Sequence, residues 1–338
     1  MTTANQPEAM KAVWIDRFGG PEGLEIRSVP RPRIAADQVL VRVWASALNR
    51  ADLLQRQGKY PAPAGSPQEI PGIEFAGEVA EIGPLVQMWK PGQRVFGLTG
   101  GGAQAQYLVT QERSLAEIPA NLDWAEAAAI PEVFITAHDA LWKQAELRPG
   151  ETVLIHAVGS GVGLAAVQLA RAIQAPAFGT SRTADKIQRA RPFGLQDGIA
   201  IQHNFDDLIT AVQKWTLGKG IDVALDLAGG PYVTASQKLM AARGRMILVG
   251  TMAGGTYELD SRFVMSKRLR ITGTVLRARP LEEKIQVTQT FAREVVPLLA
   301  GGVLRANIDS RFPMADIRQA HQRLESNQTF GKVVIEID

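Results

Sequence analysis

Residues 153–164 read VLIHAVGSGVGL, three apolar residues of strand type that run into a glycine-rich turn, with a helix predicted to begin near Val162. Glycines in such a turn let the backbone approach a pyrophosphate without interference from Cβ atoms. The N–H groups at the start of the following helix favour negative charge. The stretch therefore predicts a dinucleotide-binding loop between a strand and a helix.

The spacing of this loop has two interpretations. Gly161, Gly163 and Ala166 match one dinucleotide-binding pattern, whereas Ala157, Ser160 and Gly163 match a looser one. Both place the same loop on the phosphates, and the alternative is a tight turn that binds no ligand. The residues expected to bind the cofactor here are Gly159, Ser160, Gly161, Val162 and Gly163.

Strand-like and helix-like segments alternate around the loop. Near-continuous apolar runs are typical of strands buried on both faces of a parallel sheet. The predicted strands are residues 152–156, 175–179, 199–202, 223–227, 245–249 and 269–274. The predicted crossover helices are residues 163–173, 186–191 and 231–241. This order predicts an α/β fold with a doubly wound parallel sheet of the Rossmann type.

The region before Asp123 has a different pattern, in which short apolar runs alternate with glycine and proline turns. The strands predicted there are residues 12–15, 24–29, 38–45, 73–82, 94–97 and 106–109. From about Asp123 the sequence becomes rich in Ala and Glu. We therefore expect an antiparallel, strand-rich domain that ends close to this position.

The amino-acid composition limits the number of domains and the kinds of catalytic or metal site that the chain can contain. The 338 residues are sufficient for about two domains, and 46% hydrophobic with 21% charged residues is typical of folded proteins. The absence of cysteine excludes disulfides, cysteine nucleophiles and thiolate metal sites. The four histidines are scattered, so no metal site is expected.

Charge and hydropathy describe the expected partners. The net charge is +3, and Lys and Arg are spread along the chain instead of forming basic runs, so no nucleic-acid partner is expected. No apolar stretch reaches the ~18 residues of a membrane span, and the first residues lack a signal-peptide pattern. The sequence predicts a cytoplasmic protein without membrane association.

The end of the second parallel strand indicates which dinucleotide binds. An acid at this position holds the ribose hydroxyls of NAD, whereas a basic group holds the phosphate of NADP. The segment Gly179-Thr180-Ser181-Arg182-Thr183 has no acid. Ser181, Arg182 and Lys186 supply donors for a phosphate and favour NADPH. The alternative is a solvated helix start, since Asp185 is nearby.

Further segments carry a family resemblance. They are residues 46–60 (SALNRADLLQRQGKY), 127–131 (AAAIP), 154–163 and 331–333 (GKV). Over nearly its whole length the chain resembles the quinone oxidoreductase, or zeta-crystallin-like, branch of the zinc-free medium-chain dehydrogenase/reductase superfamily. The first segment is most similar to the tumour-suppressor-inducible quinone oxidoreductase subgroup.

The resemblance implies an architecture. It predicts a strand-rich, GroES-like catalytic domain over residues 10–129 and 279–338, and a Rossmann NADPH-binding domain inserted between them over residues 130–278. It also implies a homodimer, with the strand around residues 269–276 near the subunit boundary.

Zinc-dependent alcohol dehydrogenases of the same superfamily place a Cys where this chain has Asn49 and a His where it has Ile73, just before Glu74. Without a Lewis acid, hydride transfer to an activated acceptor is favoured over alcohol chemistry. The expected function is therefore zinc-independent hydride transfer from NADPH to a quinone or a conjugated carbonyl compound.

The resemblance also implies which residues surround the acceptor. Asn49 would lie near the nicotinamide, Tyr60 would offer its hydroxyl to the reduced oxygen, and Asp52 would orient the segment. Tyr60 has an alternative role, as an aromatic ring that packs beside Pro61 and Pro63.

Further cofactor contacts are expected in the inserted domain. Thr136 would hydrogen-bond near the nicotinamide, the alternative being an ordinary helical threonine. Because ligands lie beyond the carboxyl ends of parallel strands, Gly250, Thr251 and Met252 are expected near the ribose, and Leu276 lies at another such end. Arg277 and Arg279, which follow it, have a second interpretation as surface charges.

Three alternatives stay open at this point. His203 is either an adenine contact or a surface histidine. The activity could instead be NADPH-dependent reduction of the double bond of enones or enoyl thioesters, which uses the same hydride geometry. The chain could also be a non-catalytic NADPH-binding protein.

Overall fold

The computed structural model describes residues 8–202 and 204–338, so the expectation for His203 lies outside the described residues. The chain forms two compact units. The first comprises the described part of Met1–Glu132 together with Arg277–Asp338, and the second is Val133–Leu276. The second unit is thus a continuous insertion in the sequence of the first.

The N-terminal segment is rich in strands, as its apolar runs and turns predict. Its elements in chain order are β1 (Ala9–Ile15), β2 (Leu24–Pro30), β3 (Gln38–Ala47), α1 (Arg50–Arg56), β4 (Glu74–Ile82), β5 (Arg94–Leu98), β6 (Tyr107–Gln111), β7 (Leu115–Glu117) and α2 (Trp124–Ala128). β1 and β2 pair with each other, and β3 pairs antiparallel with both β4 and β6.

A parallel sheet forms the second unit. The elements that follow in chain order are α3 (Pro131–His138), β8 (Val153–Ile155), α4 (Gly161–Ala172), β9 (Ala177–Ser181), α5 (Ala184–Ala190), β10 (Leu195–Ala200), α6 (Asp206–Trp215), β11 (Ile221–Asp226), α7 (Pro231–Leu239), β12 (Met240–Leu248), α8 (Ser261–Lys267) and β13 (Arg270–Gly273). The strand order is β10-β9-β8-β11-β12-β13. This order confirms the predicted doubly wound sheet, and its direction reverses between β8 and β11.

Two differences from the prediction concern β10 and α6. β10 begins at Leu195, before the predicted residue 199, because the polar residues Gln196 and Asp197 interrupt the apolar run while the edge position of the strand tolerates them. α6 was missed altogether. Its apolar residues Leu208 and Val212, one helical turn apart, are the signal that indicates it.

The C-terminal segment completes the sheet of the first unit. Its elements are α9 (Leu281–Glu294), α10 (Val296–Ala300), β14 (Ile308–Pro313), α11 (Ile317–Glu325) and β15 (Lys332–Glu336). The sheet order is β14-β15-β3-β4-β5-β7. Val334 pairs with Ala47 at the end of β3, so Lys332 reaches the residues that follow that strand. Fully buried Val41, Phe75 and Val333 belong to the core beneath this sheet.

The glycine turn after β8 is held by local bonds. Ser160 is the N-cap of α4, and its hydroxyl accepts a hydrogen bond from the Gly163 N–H at 3.1 Å. The Val158 N–H donates to the Thr180 carbonyl at 2.9 Å, which ties the turn to β9. A Cβ at Gly163 would lie 2.6 Å from the Ala157 carbonyl oxygen, so a side chain does not fit there.

We expect Gly163→Ala to lower the free energy of unfolding by about 1–3 kcal/mol, because the added methyl group meets backbone atoms that cannot move aside. The matched control is Gly255→Ala, where an added Cβ meets nothing within 4 Å. Urea denaturation followed by circular dichroism measures both variants. Equal unfolding midpoints for the two variants would show that the turn tolerates a Cβ.

Candidate functional site

A buried ammonium group lies at the start of β15 in the first unit. Lys332 Nζ is 2.7 Å from Glu74 Oε1 and donates to Asn49 Oδ1 at 2.6 Å and to the Leu48 carbonyl at 2.8 Å. The ammonium group thus makes two hydrogen bonds and one ion pair inside the protein. The Lys332 and Glu74 side chains are 5% and 0% exposed, so each charge depends on the other for stability.

The Glu74 carboxylate joins several segments of the first unit. Its Oε1 lies 2.7 Å from the Lys332 ammonium and accepts a hydrogen bond from Asn49 Nδ2 at 2.8 Å. Its Oε2 accepts from the backbone N–H of Glu132 at 2.8 Å. The start of β4 is therefore bonded to β15, to the residue before α1 and to the first turn of α3.

The orientation of the Asn49 amide follows from these charges. Its Nδ2 donates to Glu74 and, at 3.2 Å, to the Ala47 carbonyl, while its Oδ1 accepts from Lys332. A carboxylate on one side requires the N–H₂ group and an ammonium on the other requires the oxygen. The structure thus places partly exposed Asn49 in a fixed orientation, with both amide hydrogens bonded inside the protein.

Asp52 is fully buried and accepts two backbone hydrogen bonds. Its carboxylate oxygens accept from the Asn49 N–H at 2.7 Å and from the Gly72 N–H at 2.9 Å. Burial raises the pKa of Asp52 to about 6, against the lowering effect of these N–H groups and of the charges on Arg277 and Lys332. This geometry connects α1 to the loop before β4 and makes Asp52 a group that orients the Asn49 segment.

Arg277 lies inside the first unit, so the interpretation of this residue as a surface charge is wrong. It is 7% exposed, its Nε donates to the Gly100 carbonyl at 2.9 Å, and its Nη2 donates to Gln55 Oε1. The guanidinium carbon lies 5.1 Å from the centre of the Tyr60 ring. Tyr60 is partly exposed, and its ring is positioned by this cation–π contact.

Sequence reasoning missed Glu132, the second residue of α3. It is partly exposed, and the pKa of its carboxyl is raised to about 7, first by burial and then by the negative charge of Glu74. Lys332 and Arg277 act in the opposite direction, whereas Asp52 adds to the rise. An acid in the first turn of a helix is normally interpreted as a complement to the helix dipole, so the sequence carries no signal for this environment.

The second unit places several predicted cofactor residues around the turn after β8. Gly161 and Val162 begin α4, and the Lys186 side chain lies over the loop, 2.9 Å from where a Cβ of Gly159 would stand. Ser181 ends β9, and Arg182 follows it on the surface. The acid-free strand end and the loop are thus adjacent, an arrangement that fits a dinucleotide with a phosphate on its ribose.

Another set of predicted residues follows β12 and β13. A Cβ at Gly250 would lie 2.4 Å from the Leu227 carbonyl oxygen, so the segments after β11 and β12 are in close contact. Thr251 and Met252 are exposed, and Leu276 is buried.

Elsewhere in this unit, Thr136 is buried and its Oγ1 has no hydrogen-bond partner in the described part of the chain. An orphaned hydroxyl of this kind fits a group that receives a ligand.

His156, the buried residue that follows β8, makes hydrogen bonds typical of a structural histidine. His156 Nδ1 lies 2.9 Å from Thr180 Oγ1 and its Nε2 lies 2.7 Å from Ser236 Oγ, and burial lowers its pKa. A neutral imidazole with both nitrogens bonded connects β8, β9 and α7.

In residues 8–202 and 204–338, no three acidic or histidine side chains are grouped so that they could hold a metal ion. None of the helices in these residues has the length and the apolar character needed to cross a bilayer.

We expect Lys332→Met to lower the free energy of unfolding by about 3–5 kcal/mol, because it leaves the Glu74 carboxylate buried without its cation. Urea denaturation measures the loss, and Lys90→Met on the exposed surface is the control. The double variant Lys332→Met with Glu74→Gln is expected to recover part of the loss, since it buries no charge. A double variant no more stable than the single one would show that the pairing of charges is not the cause.

Comparison with known proteins matches both parts of the chain to families. A model described as "Alcohol dehydrogenase GroES-like domain" matches residues 35–120, and one described as "Zinc-binding dehydrogenase" matches residues 199–335. Among solved structures, an NAD-dependent alcohol dehydrogenase is 30% identical with a TM-score of 0.86, covering 97% of this chain and 100% of the other. A mycobacterial protein solved in complex with NADPH is 25% identical with a TM-score of 0.86, covering 97% and 100%.

Curated relatives align over nearly the whole chain. The quinone oxidoreductase of Lama guanicoe is 34% identical over 96% of this chain and 97% of its own length. The quinone oxidoreductase of Pseudomonas aeruginosa is 32% identical over 96% and 99%. Together with the inserted Rossmann sheet and the strand-rich unit, these alignments show that the chain belongs to the quinone oxidoreductase branch of the medium-chain dehydrogenase/reductase superfamily.

Proposed function

We propose that this protein is an NADPH-dependent, zinc-independent oxidoreductase that transfers hydride to a quinone-type acceptor. The observation that carries the proposal is the environment of Asn49. At the position where zinc-dependent relatives have a Cys, this chain has an amide whose oxygen accepts a hydrogen bond from the Lys332 ammonium. Relatives of the same length that carry the name quinone oxidoreductase support the acceptor class.

NADPH is preferred to NADH in this proposal. Ser181, Arg182 and Lys186 lie at the end of β9 and the start of α5, and β9 itself ends without an acid, although Asp185 lies in the first turn of α5. Guanidinium and ammonium groups form strong, charge-assisted hydrogen bonds to phosphate. The second unit would hold the pyrophosphate on the N–H groups at the start of α4, and the Thr136 hydroxyl would bond to the nicotinamide end.

The first unit would supply the acceptor side. When bound, NADPH supplies the hydride, and the protein contributes orientation and electrostatics. Tyr60, held over Arg277, would offer its hydroxyl to the oxygen that is reduced, and Asn49 would line the acceptor. Lys332, Glu74 and Asp52 have their hydrogen-bonding atoms bonded within the unit and would act by orienting these residues.

Further parts of the proposal concern assembly and location. We propose a homodimer that forms near residues 269–276, where Val275 and the neighbouring Met265 are exposed apolar side chains. A cytoplasmic location stays a prediction from the sequence.

Lys186→Ala is expected to raise the KM for NADPH by about tenfold or more, because a charge-assisted hydrogen bond contributes ~1.5–3 kcal/mol. The KM for NADH should stay the same, since NADH lacks the phosphate. Steady-state kinetics with both dinucleotides measure the difference, and Lys214→Ala on the exposed face of α6 is the matched control. An equal rise for the two dinucleotides, or wild-type preference for NADH, would remove Lys186 from the phosphate site.

A panel of acceptors tests the function itself. We expect purified protein with NADPH to reduce ortho-quinones or para-quinones with a higher kcat/KM than 2-alkenals or enoyl thioesters, and Tyr60→Phe to lower that value at least tenfold, or ~1.4 kcal/mol. A smaller loss would make Tyr60 a packing residue, because phenylalanine keeps the ring on Arg277. Preference for 2-alkenals would indicate a double-bond reductase, and tight NADPH binding without turnover would indicate a non-catalytic protein.

A further inference from the structure

Charged side chains of the first unit form one compact group, which we call the acid cluster. It contains the carboxyl groups of Asp52, Glu74 and Glu132 and the cationic groups of Lys332 and Arg277. Both oxygens of Asp52 and both oxygens of Glu74 accept hydrogen bonds from the protein. These two acids are fully buried, and their oxygens are already engaged by protein groups.

Glu132 differs from the other two acids. Its residue is partly exposed, and within residues 8–202 and 204–338 no hydrogen bond to its carboxyl group is found. Its backbone N–H is bonded to Glu74, which itself holds Asn49. The positive charge of Arg277 acts on the Glu132 carboxyl, and the same guanidinium lies over the Tyr60 ring. The Glu132 backbone is therefore linked through one carboxylate to Asn49, and its carboxyl group feels the charge of the guanidinium that contacts the Tyr60 ring.

The charges that face Glu132 come from four segments. Glu74 on β4 and Asp52 on α1 oppose ionisation, whereas Lys332 on β15 and Arg277 favour it. With burial as the largest cause, the pKa of Glu132 rises to about 7. A carboxyl group that titrates near neutral pH can give up a proton and be protonated again in each turnover.

We propose that Glu132 delivers the proton that completes reduction of the acceptor, an inference that rests on the proposed quinone reductase function. Hydride transfer adds two electrons and one hydrogen to the quinone and leaves a hydroquinone monoanion. The O–H bond of the Glu132 carboxyl then breaks and an O–H bond forms on the anionic oxygen, directly or through one water. Solvent returns a proton to the Glu132 carboxylate, so that quinone, NADPH and one proton give hydroquinone and NADP⁺.

The direction of this transfer is favourable. A phenol-type oxygen has an ordinary pKa of about 10, so its anion is a stronger base than a carboxylate that titrates near neutral pH. Tyr60 keeps the role of a hydrogen-bond donor to the same oxygen, and its own proton need not leave.

The test compares the pH profile of kcat for the wild-type protein, Glu132→Gln and Glu117→Gln, with NADPH and a para-quinone. Because the protonated carboxyl is the donor, wild-type kcat should fall as pH rises through about 7. Glu132→Gln should lower kcat at pH 6 at least tenfold and abolish this fall, with an unchanged Kd for NADPH measured by its fluorescence. Glu117→Gln, an exposed acid on β7, should keep the wild-type profile. Glu132→Asp should restore part of the pH dependence.

The pH dependence of the free energy of unfolding reports the titration of Glu132 independently of enzyme activity. The pKa of Glu132 is raised from 4.5 in the unfolded chain to about 7 in the folded protein, so between these values the folded state binds more protons. Wild-type stability should therefore decrease as pH rises through this window, and Glu132→Gln should remove that part of the decrease.

The outcomes separate the two proposals. If the wild-type protein reduces no quinone at any pH, the proposed function fails. If it reduces quinones and Glu132→Gln keeps both the rate and the fall near pH 7, the proton-donor inference is overturned while the function stands. A folded Glu132→Gln variant with wild-type NADPH affinity, a low kcat and a flat profile supports the inference.

Discussion

The ion pair between the Lys332 ammonium and the Glu74 carboxylate is the interaction on which the first unit's site depends. Both charges are removed from water, and neither would be stable there without the other. The pair joins the last strand of the chain to β4, sets the orientation of the Asn49 amide and leaves one oxygen of Glu74 for the backbone of Glu132. The positions of the Asn49 amide and of the Glu132 backbone are thus set by this buried ion pair.

This arrangement gives the proposed zinc-independent chemistry of this chain a physical basis. Zinc relatives place a thiolate at the position of Asn49, where a metal cation neutralises it. In this chain the cation is the Lys332 ammonium, which donates to the Leu48 carbonyl and to Asn49 and pairs with Glu74. Lys332 therefore organises the surrounding residues, which in the proposed function leaves the proton to come from another group.

The fold was largely predictable because its signals are local. Apolar strands, glycine turns and helix-length spacers indicate the doubly wound sheet, and the loop at residues 157–163 indicates its ligand class. The errors have identifiable causes, one local and one tertiary. Gln196 and Asp197 hide the start of the edge strand β10, and Arg277 has the polar character of a surface residue until the fold surrounds it with Gly100 and Gln55.

By itself, the sequence determined the inserted Rossmann sheet, the dinucleotide loop, the absence of thiolate chemistry and the family, because each follows from residue types at short spacing. Only the tertiary structure decided which charges meet. Asp52, Glu74, Glu132, Arg277 and Lys332 come from distant parts of the chain, and the pKa of a carboxyl depends on burial and on neighbouring charges. Spacing along the chain cannot encode that environment, so the raised pKa of Glu132 emerged only when the strands and helices had been brought together.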